Sequence, residues 1–153
     1  MPVDPSIRRA DAADENTVAT ILREYYEAAS VIVRDDPDDL QQYLAGNGGL
    51  WLALIDGVAV GCVAVRPLKA IAPQACEVKR LYVAPDRRGQ GIADLLYNAL
   101  EAFARSSGFR SIYLDTTDGM QAAIHFYERH GFAYCERYNE NPQATLFMRK
   151  SLG

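Results

Sequence analysis

The stretch Val83–Ala93, VAPDRRGQGIA, sets two glycines and two arginines between an apolar run and a segment of helical apolar spacing. If a strand ends at Val83 and a helix starts at Ile92, the first helical turn presents N–H groups with no intrahelical partner, at the positive end of the dipole. Glycine lets an anion approach that backbone with no Cβ in the way. Arginine adds charge-assisted hydrogen bonds suited to phosphate oxygens. The chemistry this predicts is phosphate or pyrophosphate binding; the alternative is a surface turn with two solvated arginines. A P-loop is excluded, because no Lys follows either glycine. A dinucleotide fingerprint also fails, because after Gly89 and Gly91 the third glycine slot holds Asp94.

Nucleophile and metal chemistry find less support. Cys62, Cys76 and Cys135 are widely spaced, and each sits in an apolar or strand-like segment, where a free thiol packs as a small hydrophobe. His125 and His130 lie five apart with no Cys or carboxylate at ligand spacing, so no metal site is expected.

The elements that must position the glycine turn follow from periodicity. Ser6–Arg9 reads as a short edge strand. A helix over about Asp14–Ala29, capped by Asp11 or Asp14, carries the stripe Val18, Ile21, Leu22, Tyr25 and Tyr26. The acidic run from Asp35 to Asp39 opens a second short helix through Leu40–Leu44. Strands are expected at Leu50–Ile55 and Val58–Val65, joined by an Asp56-Gly57 hairpin turn. In the next strand, Cys76–Val83, residues Glu77, Lys79, Leu81 and Val83 share one parity. The helix after the turn stripes Ile92, Leu95, Leu96, Ala99, Leu100 and Phe103 and ends near Gly108. Ser111–Thr116 is a strand, parallel to the one before the helix. A helix over Gln121–His130 ends at Gly131, and strands at Phe132–Tyr138 and Ala144–Leu152 close the chain. The order indicates an α+β domain with a mixed sheet.

Composition agrees with a single domain over residues 1–153. The chain has 153 residues, 49% of them hydrophobic and 24% charged, enough to bury a core without disulfides or structural metal. The longest apolar runs fall far short of the roughly 20 residues a spanning helix needs. The N-terminus lacks the apolar core of a secretory signal, so a soluble, cytoplasmic protein is expected. Sixteen Lys and Arg against 20 Asp and Glu give a net charge of −4, which does not favour nucleic-acid binding.

With these residues assembled, the sequence resembles the GCN5-related N-acetyltransferases (GNAT). Their pyrophosphate loop, [RQ]-x-x-G-x-[GA], is matched by Arg88, Gly91 and Ala93. Downstream, Ala123–Phe132 supplies the matching A-x-x-F-Y-x-x-x-G-F. The resemblance spans nearly the whole chain. It implies a mixed, mostly antiparallel seven-stranded sheet, flanked by about four helices and splayed between the fourth and fifth strands. It also implies acetyl-CoA as co-substrate. The backbone of Arg88, Gly89, Gln90, Gly91, Ile92 and Ala93 would hold the pyrophosphate. The strand at Leu81, Tyr82 and Val83 would pair with the pantetheine arm, the amide of Leu81 facing the thioester carbonyl.

The resemblance further implies Tyr127 as donor to the departing thiolate; the alternative is that Tyr127 only packs, within the stripe Ala123, Phe126, Tyr127 and His130. Glu77 is the candidate base, directly or through a water; the alternative is a carboxylate paired with Lys79 or an arginine. One position departs from the pattern. Where relatives carry Asn seven residues before the tyrosine, this chain has Met120. Asp115 and Thr116 would either touch the acceptor or cap the next segment, and the acidic run Asp35–Asp39 would either draw in a cationic amine or be a solvated helix start. The function implied is direct acetyl transfer to a primary amine of a small molecule, such as an amino acid or polyamine. Alternatives are a protein N-terminal or lysine acetyltransferase, and a non-catalytic acetyl-CoA-binding regulatory module. A homodimer follows from family habit.

Overall fold

The computed structural model describes residues 4–29, 43–44 and 47–153. In chain order the elements are β1 (Ser6–Arg9), α1 (Glu15–Ala29), β2 (Gly49–Ile55), β3 (Val58–Pro67), β4 (Ala75–Val83), α2 (Ile92–Ser106), β5 (Ser111–Thr116), α3 (Gln121–Arg129), β6 (Ala133–Tyr134) and β7 (Leu146–Ser151). The strands form one seven-stranded sheet in the order β1-β2-β3-β4-β5-β7-β6. Pairing of β4 with β5 is parallel, through the α2 crossover. The pairs β1–β2, β2–β3, β5–β7 and β6–β7 are antiparallel. This is the mixed, mostly antiparallel architecture expected. The short helix expected over Leu40–Leu44 and the acidic residues Asp35–Asp39 lie outside the described residues, apart from Tyr43 and Leu44, which are helical.

The chain packs as two compact units, Met1–Arg66 with Val78–Phe103 and Pro67–Glu77 with Ala104–Gly153. In the first, α1 is entered through a capping box. Asp11 accepts from the Ala13 amide, and the Asp14 carboxylate accepts from the Asp11 amide at 2.9 Å. Arg8 donates twice to Asp14, at 2.7 and 2.8 Å, which pulls the Asp14 carboxyl below the usual carboxylate range. Val18, Ile21 and Leu22 are buried in one cluster with Leu50 and Leu52 of β2. Asp56 and Gly57, both at positive φ (51° and 78°), make the two-residue turn between β2 and β3. At Gly61 on β3, a Cβ would stand 2.8 Å from the Tyr82 carbonyl oxygen, so close approach of β3 and β4 excludes any larger residue.

One expectation in this unit is corrected. Leu95, placed in the α2 stripe, is 43% exposed, while Tyr97 is fully buried. Tyr97 can take that place because its hydroxyl donates to Glu101 at 2.9 Å, one turn on. Along β4, Ala75–Val78 are all buried, and so are Tyr82 and Val83. Between those runs Arg80 adopts φ +58°, a left-handed conformation in the middle of a strand.

In the second unit, Ile112 and Leu114 of β5 and Met148 of β7 are buried, as are Ile124 and Tyr127 of α3. After α3, Gly131 at φ +95° turns the chain as expected. The strand expected over Phe132–Tyr138 is only the two residues of β6. The chain beyond is held as a loop, because the Arg137 guanidinium donates to the carbonyls of Asn139, Asn141 and Ala144. The last strand accordingly starts at Leu146 rather than Ala144.

Candidate active site

In the first unit, β4 delivers the chain into the glycine turn. A 3-10 turn, Pro85–Arg87, follows the strand. The Arg88 side chain then folds back, its Nε donating to the Val83 carbonyl at 3.0 Å. That bond ties the loop to the strand end. Gly89 and Gly91 both take left-handed φ, +78° and +81°, which side chains rarely tolerate. Both are exposed, and a Cβ at either would meet nothing within 4 Å. Conformation, not crowding, is therefore what demands glycine here. α2 begins at once: the Leu95 amide donates to the Gly91 carbonyl, and Ile92 is 1% exposed. The resulting surface is an open run of backbone at a helix start beside an arginine, chemistry that fits a pyrophosphate. Leu81 is half-buried, while Tyr82 and Val83 are buried. All of Leu81–Val83 and Arg88–Ala93 thus lie in one unit.

Arg80 is a feature that sequence reasoning missed. Its carbonyl accepts from the Cys62 thiol, and its guanidinium stands 5.9 Å from the ring centres of Tyr25 and Tyr26. No pattern of residue types marks a left-handed arginine.

The second unit holds the titratable candidates. Glu77 has no exposed surface. Its Oε2 accepts a hydrogen bond of 2.5 Å from the Tyr138 hydroxyl. Burial, the negative charge of Glu77 and this hydrogen bond all push the Tyr138 phenol well above its ordinary value. The Tyr138 ring is clasped edge-on by Tyr113 and Phe147, at centroid distances of 5.0 and 5.4 Å. Asp115 Oδ2 accepts from Asn139 Nδ2 at 2.7 Å and from Asn141 Nδ2 at 3.3 Å. Thr116 accepts the Thr145 amide through its carbonyl. Asn139 and Asn141 also fold their own loop, each side-chain oxygen accepting the amide two residues on. The sequence held a signal for this, since Asn-x-Asn favours successive Asx-turns; what the turns would grip was invisible.

Tyr127 is 7% exposed. Its ring packs edge-on against Phe126 and Phe132, both at 5.3 Å. Met120, which opens α3 without a side-chain cap, is 44% exposed. The thiols are poor nucleophiles: burial pushes Cys62 and Cys76 each up to about 12. Among the described residues no three His, Cys, Asp or Glu gather as metal ligands, and no helix is long and apolar enough to cross a membrane.

Comparison with known proteins gives the family. The family model described as the acetyltransferase (GNAT) family matches residues 16–132, and the chain belongs to that family. It is similar to an uncharacterized N-acetyltransferase of Escherichia coli, 30% identical over 143 residues, covering 88% of this chain and 86% of the relative. It is also similar to an uncharacterized N-acetyltransferase of Schizosaccharomyces pombe, 41% identical over 94 residues, covering 61% of this chain. There the match spans only 56% of the relative's length. Among solved structures, N-acetylglutamate synthase of Neisseria gonorrhoeae, complexed with coenzyme A and N-acetyl-glutamate, shares the fold. Its TM-score is 0.78 at 18% identity, with all of this chain and 36% of that one covered.

Proposed function

We propose that residues 1–153 act as one acetyltransferase domain, moving the acetyl group of acetyl-CoA directly to the primary amine of a small molecule such as an amino acid or polyamine. The observation that carries this reading is the exposed Arg88–Gly91 turn, with two left-handed glycines at the head of a 15-residue helix. Membership of the acetyltransferase family supports it. In this reading the backbone N–H groups from Arg88 to Ala93 bind the pyrophosphate of acetyl-CoA. The backbone of Leu81–Val83 aligns the pantetheine arm, and the Leu81 N–H steadies the oxyanion.

The amine nitrogen bonds to the thioester carbon, the C–S bond breaks, and Tyr127 protonates the sulfur. Glu77 takes the proton the amine gives up. An ammonium acceptor suits the second unit, where Glu77 and Asp115 lie on one side of neighbouring strands: Glu77 is in register with Tyr113, two residues before Asp115. Calorimetric titration with acetyl-CoA tests the reading, beside an Arg88→Ala/Gly91→Glu variant. Saturable binding by the wild type, lost in the variant, is expected. Thiol release should follow with free amines; release with peptides alone would move the acceptor to protein, and no binding by a folded wild type would overturn the reading.

A further inference from the structure

A base without exposed surface cannot itself meet an acceptor, and Glu77 is such a group: its relative exposure is 0%. The Tyr138 hydroxyl reaches it, 2.5 Å from Oε2, on a residue that is half-buried. The segment carrying Tyr138 is fixed with care. Tyr113 and Phe147 clasp the ring, Asp115 holds Asn139 and Asn141, and Arg137 ties three loop carbonyls while lying 4.7 Å from the Phe147 ring centre. A half-buried tyrosine whose hydroxyl bonds a fully buried carboxylate has the geometry of a proton relay.

Resting on the transferase reading above, we propose that Tyr138 is the catalytic residue through which Glu77 acts. As the acceptor ammonium loses its proton, the N–H bond breaks and a new O–H bond forms at Tyr138 Oη. In the same step the proton already on Oη passes to Glu77 Oε2. The balance is one neutral amine, one neutral Glu77 carboxyl and an unchanged tyrosine. The phenol never needs to ionise, which is consistent with burial and the nearby carboxylate both disfavouring phenolate. Asp115 and Cys135 add to that bias. Other titratable or charged groups around the pair include Cys76, which feels the Glu77 charge, Tyr113 and Arg149, whose guanidinium lies 5.7 Å from the Tyr113 ring centre, and Arg137. None of these makes the 2.5 Å contact that Tyr138 makes.

The test uses the full chain, acetyl-CoA and whichever member of a panel of free amino acids, diamines and polyamines the wild type acetylates. kcat/KM is followed by thiol release from pH 6 to 10 for wild type, Tyr138→Phe, Glu77→Gln and the double variant. Tyr138→Phe keeps the ring packing, and thermal melts verify that each variant is folded. The relay predicts that Tyr138→Phe and Glu77→Gln each lose about 10²-fold at neutral pH. Both should recover as pH approaches the pKa of the free amine, and the double variant should be no worse than either single one. A Tyr138→Phe pH profile matching the wild type overturns the relay. So does a loss equal at every pH, or losses that multiply in the double variant, since each marks a purely structural role. A wild type that binds acetyl-CoA but turns over no amine overturns the transferase reading, and the relay with it. An active wild type with an indifferent Tyr138→Phe overturns the relay alone.

Discussion

At the scale of the residue, burial decides what each candidate can do. Glu77 was singled out by type and place, yet its hydrogen-bond partner lies 61 positions away. Tyr127 presents the opposite case: its ring is packed between Phe126 and Phe132, so the packing alternative is true of the ring whatever the hydroxyl does. Tyr127→Phe separates the two, because it keeps the packing and removes only the donor. The expected outcome is a fall in kcat of about 10²-fold, with acetyl-CoA binding and melting temperature unchanged. An unaltered kcat would leave Tyr127 a packing residue. Steady-state kinetics beside calorimetry measure both halves.

At the scale of the element, local chemistry accounts for most boundaries. Asp11 with Asp14 starts α1, Asp56-Gly57 turns β2 into β3, and Gly131 follows α3; all three were visible in the sequence. The capping box makes a specific claim. Asp11→Ala should cost about 1 kcal/mol of unfolding free energy, read from urea denaturation. The pH dependence is equally definite. The carboxyl of Asp14 is held low in the folded state, chiefly by the Arg8 hydrogen bond. Its contribution is therefore full above the unfolded carboxylate pKa of about 4 and lost as pH falls through the lower folded value. Asp14→Asn should flatten that acid limb; an acid limb equal to wild type would remove Asp14 from the account. The element that sequence misjudged, β6, is cut short by the Arg137 guanidinium, which binds loop carbonyls two, four and seven residues on.

At the scale of the whole molecule, the cores of both units carry a buried thiol, Cys62 in the first and Cys76 in the second. Each is held protonated up to about 12 in the folded chain, against about 8.5 when unfolded. A raised folded pKa contributes stability that is full below the unfolded value and is lost as pH rises towards the folded one. Melting temperature should therefore fall between about pH 8.5 and 12, and Cys62→Ala/Cys76→Ala should fall less steeply over that window. Equal slopes would show that other groups govern the alkaline limb. In the folded wild type at neutral pH, iodoacetamide should leave both thiols unmodified.

The sequence by itself determined the strand-turn-helix with its glycines, the hairpin and caps, and the order of elements. These depend on the conformational range of glycine, on side chains bonding their own backbone, and on periodicities of two and 3.6, all read within a few residues. Only the tertiary structure decided that Glu77 is buried against Tyr138, that Asp115 grips Asn139 and Asn141, and that Arg80 turns left-handed within β4. The physical reason is that a buried polar group must find its partner wherever the packed chain brings one. Such partners are chosen by three-dimensional proximity, which residue types along the chain do not encode.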